Sequence, residues 1–375
     1  MSIVKKTVKK FLSLFANKYI FFESVPDLTD NPKPVFDRMM ALGLHKKYKF
    51  VWYVSDQKKD LPRQKRVKYV DRNTRLHRIK FKYYMMRAKC LISCNKTLTP
   101  IFEKQKSFYL THGTSVKSIH NYYNVPRSID YIMVASEGSK SMMAYELNVD
   151  ESRVVALGFP RNDVLTSFSG DVRKYFDTDC KKVIVWYPTF RQHKNGKQTG
   201  VKSALPILHS TEAAIELNEV AKAQGVLIVM KPHFAQDVSY IKDYDLSNIR
   251  FINDEFFVKN SISSYEFIAG CDALITDYSS VYFDYLLCNK PAGLIWEDID
   301  DYRKDPGFAV DMDYMGKAAE KINSLTDFKL FLSNLSQGID HLANEREEIC
   351  RWANYATDGK SAERVTDFII EKANL

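Results

Sequence analysis

No run of about 18 or more apolar residues occurs in this chain, so the sequence offers no transmembrane helix. Cysteine is sparse and scattered, at positions 90, 94, 180, 271, 288 and 350. Cys90 and Cys94 stand four apart with no second pair at zinc-ligand spacing. That pattern argues against a structural zinc site and fits reduced, cytosolic thiols. The N-terminal lysines are not followed by a long apolar core and a small-residue cleavage site, so no signal peptide is read. Recognition-helix motifs, ribonucleoprotein-type aromatic signatures and zinc fingers are missing, which removes the usual grounds for nucleic-acid binding. Internal repeats and low-complexity tracts are missing too.

What is present is ordinary globular material. The 375 residues are 45% hydrophobic and 27% charged, and a chain of this length divides by default into two domains. The net charge of +9 is uneven. Lys58, Lys59, Arg63, Lys65, Arg66, Lys68, Arg72, Arg75, Arg78, Lys80, Lys82, Arg87 and Lys89 crowd one stretch, and Lys5, Lys6, Lys9, Lys10 and Lys18 another. Such density suits an anionic partner: a phospholipid surface, a polyphosphate substrate or nucleic acid, the last without a motif to support it. Ile3, Val4, Val8, Phe11, Leu12 and Phe15 recur at helical spacing with lysines on another face. This is the pattern of an interfacial helix on anionic lipid, or of a helix packed on the protein body.

Short apolar runs alternate with helical patterns along the rest. Tyr19–Glu23, Lys49–Val54, Cys90–Cys94, Ser107–Leu110, Tyr131–Ala135 and Arg153–Leu157 form one series of expected strands. Lys182–Trp186, Val226–Met230, Ile249–Ile252, Ala273–Thr276 and Ala292–Ile295 form another. Alternation of this kind predicts parallel sheets covered on both faces. The expected fold is α/β, with two doubly wound Rossmann-like domains facing across a cleft. The boundaries read as a basic segment 1–18, an N-terminal domain 19–170, a C-terminal domain 171–345 and a helical segment 346–375. Ligands of such sheets bind beyond the carboxyl ends of the strands.

Polar motifs stand at those ends. Thr111-His112-Gly113-Thr114 offers an imidazole that can act as a base, beside a glycine that lets a ligand approach the backbone. It is equally a tight turn with a hydrogen-bonded histidine. In Gly158-Phe159-Pro160-Arg161-Asn162-Asp163, Arg161 could bind phosphate or lock the interdomain linker by pairing with Asp163. Thr189 and Arg191 follow one strand, and Lys231-Pro232-His233 the next; the latter could clamp an anion or lie on a solvated loop. Asp277, Ser279, Ser280 and Asp284 mark a strand running into a helix, where free N–H groups favour phosphate and serines could cap instead. Asp298/Asp300 and Asp311/Asp313 have DxD spacing but no second ligand set, so no metal site is assigned. The inventory of histidines, cations and helix-end hydroxyls suits phosphoryl or glycosyl transfer from a nucleotide diphosphate donor.

These residues resemble the CDP-glycerol glycerophosphotransferases of teichoic acid and capsule synthesis. The resemblance runs over Phe22-Glu23-Ser24, Asp30-Asn31-Pro32, His112-Gly113-Thr114, Gly158 with Pro160–Asp163, Pro188–Arg191, Lys231-Pro232-His233 and Thr276–Ser280 with Asp284-Tyr285. It implies a GT-B fold and a peripheral enzyme at the cytoplasmic face of the membrane. The implied donor is CDP-glycerol or another CDP-polyol, and the implied acceptor is a lipid-linked saccharide or polyol-phosphate polymer. No tightly bound cofactor is implied, and no motif requires a divalent metal. The implied catalytic residues are His112, as the base, and His233, which handles the donor diphosphate with the Ser279/Ser280 helix end. Ser279, Ser280, Arg191, Lys231 and Thr189 would hold the donor diphosphate, and Asp284 and Asp277 its glycerol or ribose. Gly113 and Thr114 fall on the acceptor side, and Arg161 and Asp163 between the domains. The length resembles single-addition primases more than polymerases. Two departures bear on the acceptor and the polyol: Ser115-Val116 stands where the family has Pro-Leu, and Pro306-Gly307-Phe308 where it has Arg-Gly-Phe. The expected rivals are a nucleotide-sugar GT-B glycosyltransferase and, more remotely, a non-catalytic basic lipid- or RNA-binding module.

Overall fold

A computed structural model describes residues 17–55, 61, 64–189, 205–232, 238–242 and 244–375. The amphipathic pattern at 3–16, Lys58, Lys59, Arg63, Arg191 and His233 lie outside the described residues.

The first sheet is built from β1 (Tyr19–Glu23), β2 (Lys49–Val54), β3 (Val67–Asp71), β4 (Ala88–Ser93), β5 (Lys106–Tyr109), β6 (Tyr131–Val134) and β7 (Val154–Ala156). Its order is β3-β2-β1-β4-β5-β6-β7, every pair parallel. The second holds β8 (Lys182–Trp186), β9 (Val226–Met230), β10 (Ile249–Phe251), β11 (Ala273–Thr276), β12 (Ala292–Ile295) and β13 (Glu320–Ile322), in the order β10-β9-β8-β11-β12-β13, again parallel. Both are doubly wound sheets whose order reverses beside the first strand, between β1 and β4 and between β8 and β11. Ligands of such sheets gather at that reversal, beyond the carboxyl ends.

Burial on both faces explains the apolar runs. Along β1, Ile20 and Phe22 enter a core with Phe36, Phe50 and Trp52, while Tyr19 and Phe21 enter another with Val51, Leu91 and Met85. Each such buried side chain contributes roughly 1.5–3 kcal/mol. In β8, Val183 and Val185 face one core and Ile184 and Trp186 the other, following the period of two. The helix Ser361–Ala373 seals the first core with Val365, Ile369 and Ala373. Gly158, at φ +83°, lets this helix approach, because a Cβ there would lie 2.3 Å from Ser361 Oγ.

The chain divides into two compact units. One comprises the residues up to Thr114, His120–Asp163 and Asn354–Leu375; the other comprises Ser115–Ile119 and Val164–Ala353. The division falls at 163/164, ahead of the expected 170, because Leu165 and Val172 pack into a core of the second sheet. The end of the chain returns to the first unit through its helix, so 346–375 is no separate segment. Among the described residues no helix is long and apolar enough to cross a membrane.

Candidate active site

The carboxyl edge of the first sheet gathers most of the first unit's expected residues. Asn31 starts the helix Pro32–Ala41 but makes no side-chain cap. Its Nδ2 instead donates to the Leu110 and Thr111 carbonyls, at 3.1 and 3.0 Å, and its Oδ1 accepts the Arg161 amide at 3.2 Å. This ties the start of the helix to the end of β5. Thr111 is held there at φ +33°, unusual for a β-branched residue, with its hydroxyl donating to the Met133 carbonyl at 2.7 Å. Gly113 follows at φ +145°.

His112 emerges from this turn with its side chain 60% exposed. Its Nδ1 lies 2.5 Å from Oδ2 of Asp30, which is buried. The other oxygen of Asp30 accepts Arg161 Nη1 at 2.8 Å. Burial pushes the Asp30 carboxyl up, but the Arg161 charge and the His112 hydrogen bond outweigh it and hold it at about 2. Asp30 is therefore ionised at neutral pH. An ionised carboxylate only accepts, so Nδ1 carries the proton and Nε2 presents a lone pair. Sequence reading gives Asp30 no role of its own. The signal for it is local, since Asp-Asn-Pro reads as a helix start and nothing nearby shows that it faces His112.

Arg161 thus sits on Asp30. Asp163 holds the Ser361 and Ala362 amides, both at 2.8 Å, and so anchors the last helix. Thr114 is buried at the end of the same turn. The two departures noted above meet each other within the second unit. Ser118 N donates to Gly307 O at 3.0 Å, Ala309 N to Val116 O at 2.9 Å, and Lys117 and Phe308 form an antiparallel bridge.

In the second unit, the sheet reversal between β8 and β11 carries Thr189 and Asp277. Asp277 is buried and accepts the Thr189 amide at 2.8 Å as well as its hydroxyl. Thr276 Oγ1 adds a bond to the Tyr187 carbonyl at 2.8 Å. Asp277 therefore shapes the Thr189 loop. Asp284 is buried and accepts the Tyr265 hydroxyl at 2.6 Å. Ser279 and Ser280 are half-buried and precede the helix Val281–Tyr285, yet the Ser280 hydroxyl does not cap it. Their carbonyls accept instead, from Tyr282 at 3.2 Å and Phe283 at 3.1 Å. Lys231 pairs with Asp254 at 3.1 Å, at the start of the helix Asp254–Asn260.

The DxD-spaced acids are engaged elsewhere. Asp298 accepts the Tyr278 hydroxyl, Asp311 caps the helix Met312–Met315, and Asp313 pairs with Arg303. Among the described residues, one group brings three possible ligand atoms within 4.8 Å of one another: Asp30, Cys94 and His112. Both Asp30 oxygens are already bonded, and burial pushes the Cys94 thiol well up, so this group suits proton handling better than cation binding.

Comparison with known proteins converges on one family. The family model for CDP-Glycerol:Poly(glycerophosphate) glycerophosphotransferase matches residues 5–371. A teichoic acid glycerol-phosphate transferase of Staphylococcus aureus is 26% identical, over 97% of this chain and 96% of that protein. A teichoic acid poly(glycerol phosphate) polymerase of Staphylococcus epidermidis is also 26% identical, but the match spans 76% of this chain and only 41% of the polymerase. Among solved structures, a variant of the wall teichoic acid polymerase TagF is similar in fold, with a TM-score of 0.74 at 22% identity over 99% of this chain and 96% of that one.

Proposed function

This chain belongs to the CDP-glycerol:poly(glycerophosphate) glycerophosphotransferase family, and from that premise we propose that it moves glycerol phosphate, or a related polyol phosphate, from a CDP-activated donor to a hydroxyl of a lipid-linked saccharide or growing polymer. The observation that carries the mechanism is the Asp30–His112 pair. His112 Nε2 takes the proton of the acceptor hydroxyl. The freed oxygen attacks the donor β-phosphorus, the bond from that phosphorus to the bridging oxygen breaks, and CMP leaves. Asp30 fixes the ring and stabilises the imidazolium that forms.

The donor falls to the second unit. The Thr189 loop at the sheet reversal and the Ser279/Ser280 turn, where the Ser280 hydroxyl makes no cap, meet the diphosphate, together with Arg191, Lys231 and His233. We assign Asp284 to the donor glycerol or ribose, and Asp277 acts through the loop that it shapes. A teichoic acid polymerase of this fold has been studied soaked with CDPG, which agrees with a cytidine diphosphate donor. Turnover of CDP-glycerol, CDP-ribitol and UDP-sugars, measured side by side, tests the reading. A CDP-polyol should be consumed; consumption of UDP-sugars alone would point to a glycosyltransferase.

We also propose peripheral association with the cytoplasmic face of the membrane. The helix His77–Arg87 and the residue before it expose Leu76, Ile79 and Tyr83 on one side, beside Arg75, Arg78, Lys80 and Lys82, with no acid between Arg72 and Lys89. An apolar face rimmed by cations fits anionic lipid. Sedimentation with phosphatidylglycerol vesicles measures it. Arg78→Glu with Lys82→Glu should weaken binding by about tenfold or more; unchanged binding would remove this helix from the contact.

A further inference from the structure

The carboxyl edge of the first sheet carries a second charged group beside the base. In spatial order, β3, β2, β1, β4 and β5 present Arg72, Tyr53, Glu23, Lys96 and His112 at or just beyond their carboxyl ends. Glu23 is wholly buried. One of its oxygens accepts Arg72 Nη2 at 3.0 Å, and the other accepts the Lys96 amide at 2.9 Å. The backbone of Lys96 is thereby fixed while its side chain stays exposed. The Tyr53 ring gathers both cations, with the Arg72 guanidinium carbon 4.5 Å and Lys96 Nζ 5.8 Å from its centroid. Next to Lys96, Asn95 brings its Nδ2 within 3.5 Å of His112 Nδ1. Asp27, also in this unit, is engaged by the Ser55 amide and hydroxyl, each at 2.8 Å.

Two cations are therefore held over one ring against one buried carboxylate. Glu23 is spent on Arg72, so Lys96 Nζ adds a positive charge with no carboxylate paired to it among the described residues, a setting in which a phosphate is bound by charge-assisted hydrogen bonds. That charge lies on the sheet that carries the base. An acceptor whose hydroxyl reaches His112 brings its neighbouring groups to this edge.

We propose that Arg72 and Lys96 form an acceptor subsite that binds a phosphate of the incoming lipid-linked or polymeric acceptor and sets the enzyme's preference for phosphate-bearing acceptors. The proposal rests on the transferase reading given above. Lys96 supplies the discriminating charge. Arg72 is committed to Glu23 and holds the subsite in place.

Lys96→Ala tests this, because an exposed side chain is removed without breaking the Glu23–Arg72 pair. Two acceptors are compared with CDP-glycerol as donor: a prenyl-diphosphate-linked disaccharide, and the same disaccharide on a neutral alkyl chain. In the variant the KM for the phosphate-bearing acceptor should rise about tenfold. Its kcat, the donor KM and all constants for the neutral acceptor should stay within about twofold, and Lys96→Arg should restore the preference. An equal loss on both acceptors, a rise in donor KM, or no change would each overturn the subsite. If the unaltered enzyme transfers nothing from CDP-glycerol to either acceptor, the functional reading itself has failed; normal transfer with an indifferent Lys96→Ala variant sinks the subsite alone.

Discussion

His112→Ala is expected to lower turnover by about 10²–10⁴-fold, the range for loss of a general base, with the donor KM little changed. The reasons are geometric. The imidazole projects from a turn that three separate contacts hold in place: the two Asn31 bonds to the Leu110 and Thr111 carbonyls and the Thr111 hydroxyl bond to Met133. Its inner nitrogen is taken by Asp30, which leaves the outer one for substrate. Arg161 and the Asn31 amide still face Asp30 when the imidazole is gone, so its removal should cost on the order of 1 kcal/mol of folding stability. Turnover and stability therefore separate. Steady-state kinetics with an unfolding curve on the same preparation check this, and near-normal turnover would reject His112 as the base.

Asp30→Asn should damage both properties. The substituted amide would keep the size of the side chain but lose the charge that faces Arg161, itself only 7% exposed. Removing the charged partner of a buried ion pair costs on the order of 3 kcal/mol. The variant should also turn over on the order of 10²-fold more slowly, because an amide no longer dictates which imidazole nitrogen carries the proton. The pH dependence adds an independent mark. The Asp30 carboxyl lies at about 2, below its ordinary 3.8. Between those values the unfolded chain takes up a proton that the folded chain refuses, so acid favours unfolding. The stability from this group is complete above about 4 and is lost as pH falls toward 2, on the order of 2 kcal/mol. Urea midpoints measured from pH 5 to 2 should fall more steeply in the unaltered protein than in Asp30→Asn. Parallel slopes would remove Asp30 from the network.

Much of the fold was legible because buried parallel strands are nearly continuous apolar runs. Tyr19–Glu23, Lys49–Val54, Lys182–Trp186, Val226–Met230, Ala273–Thr276 and Ala292–Ile295 stand where their apolar runs ended. The elements that escaped notice are those whose residues face water. Val67–Asp71 is an edge strand in which only Val70 is buried, and its lysine and tyrosine merge into the surrounding basic stretch. The helix His77–Arg87 buries only Met85, and its apolar side (Leu76, Ile79 and Tyr83) faces water among many cations, so its charge spoke louder than its periodicity. Glu320–Ile322 is a three-residue edge with one buried residue.

The site was legible in its residue types but not in its partnerships. His112 and Asp30 are 82 positions apart, and only the parallel order of β1, β4 and β5 brings their turns together. Arg161 and Asp163 look like a local pair, yet they face different elements because a 3-10 turn at Pro160–Asn162 separates their side chains. Asp277 looks like a ligand and serves a loop, since its carboxylate lies directly beneath the Thr189 amide at the sheet reversal. Serines before a helix read as caps. Here Ser280 is already helical, at φ −60° and ψ −21°, and a cap hydrogen bond needs an extended residue at that position.

The most direct measurement identifies the nucleotide released when the full chain acts on CDP-glycerol with a lipid-linked saccharide, together with the mass gained by the acceptor. Attack at the β-phosphorus with His112 as base predicts CMP and an acceptor heavier by one or more glycerol phosphate units, both lost in His112→Ala. Release of CDP, or an acceptor that gains glycerol without phosphate, would place the attack elsewhere and contradict the mechanism.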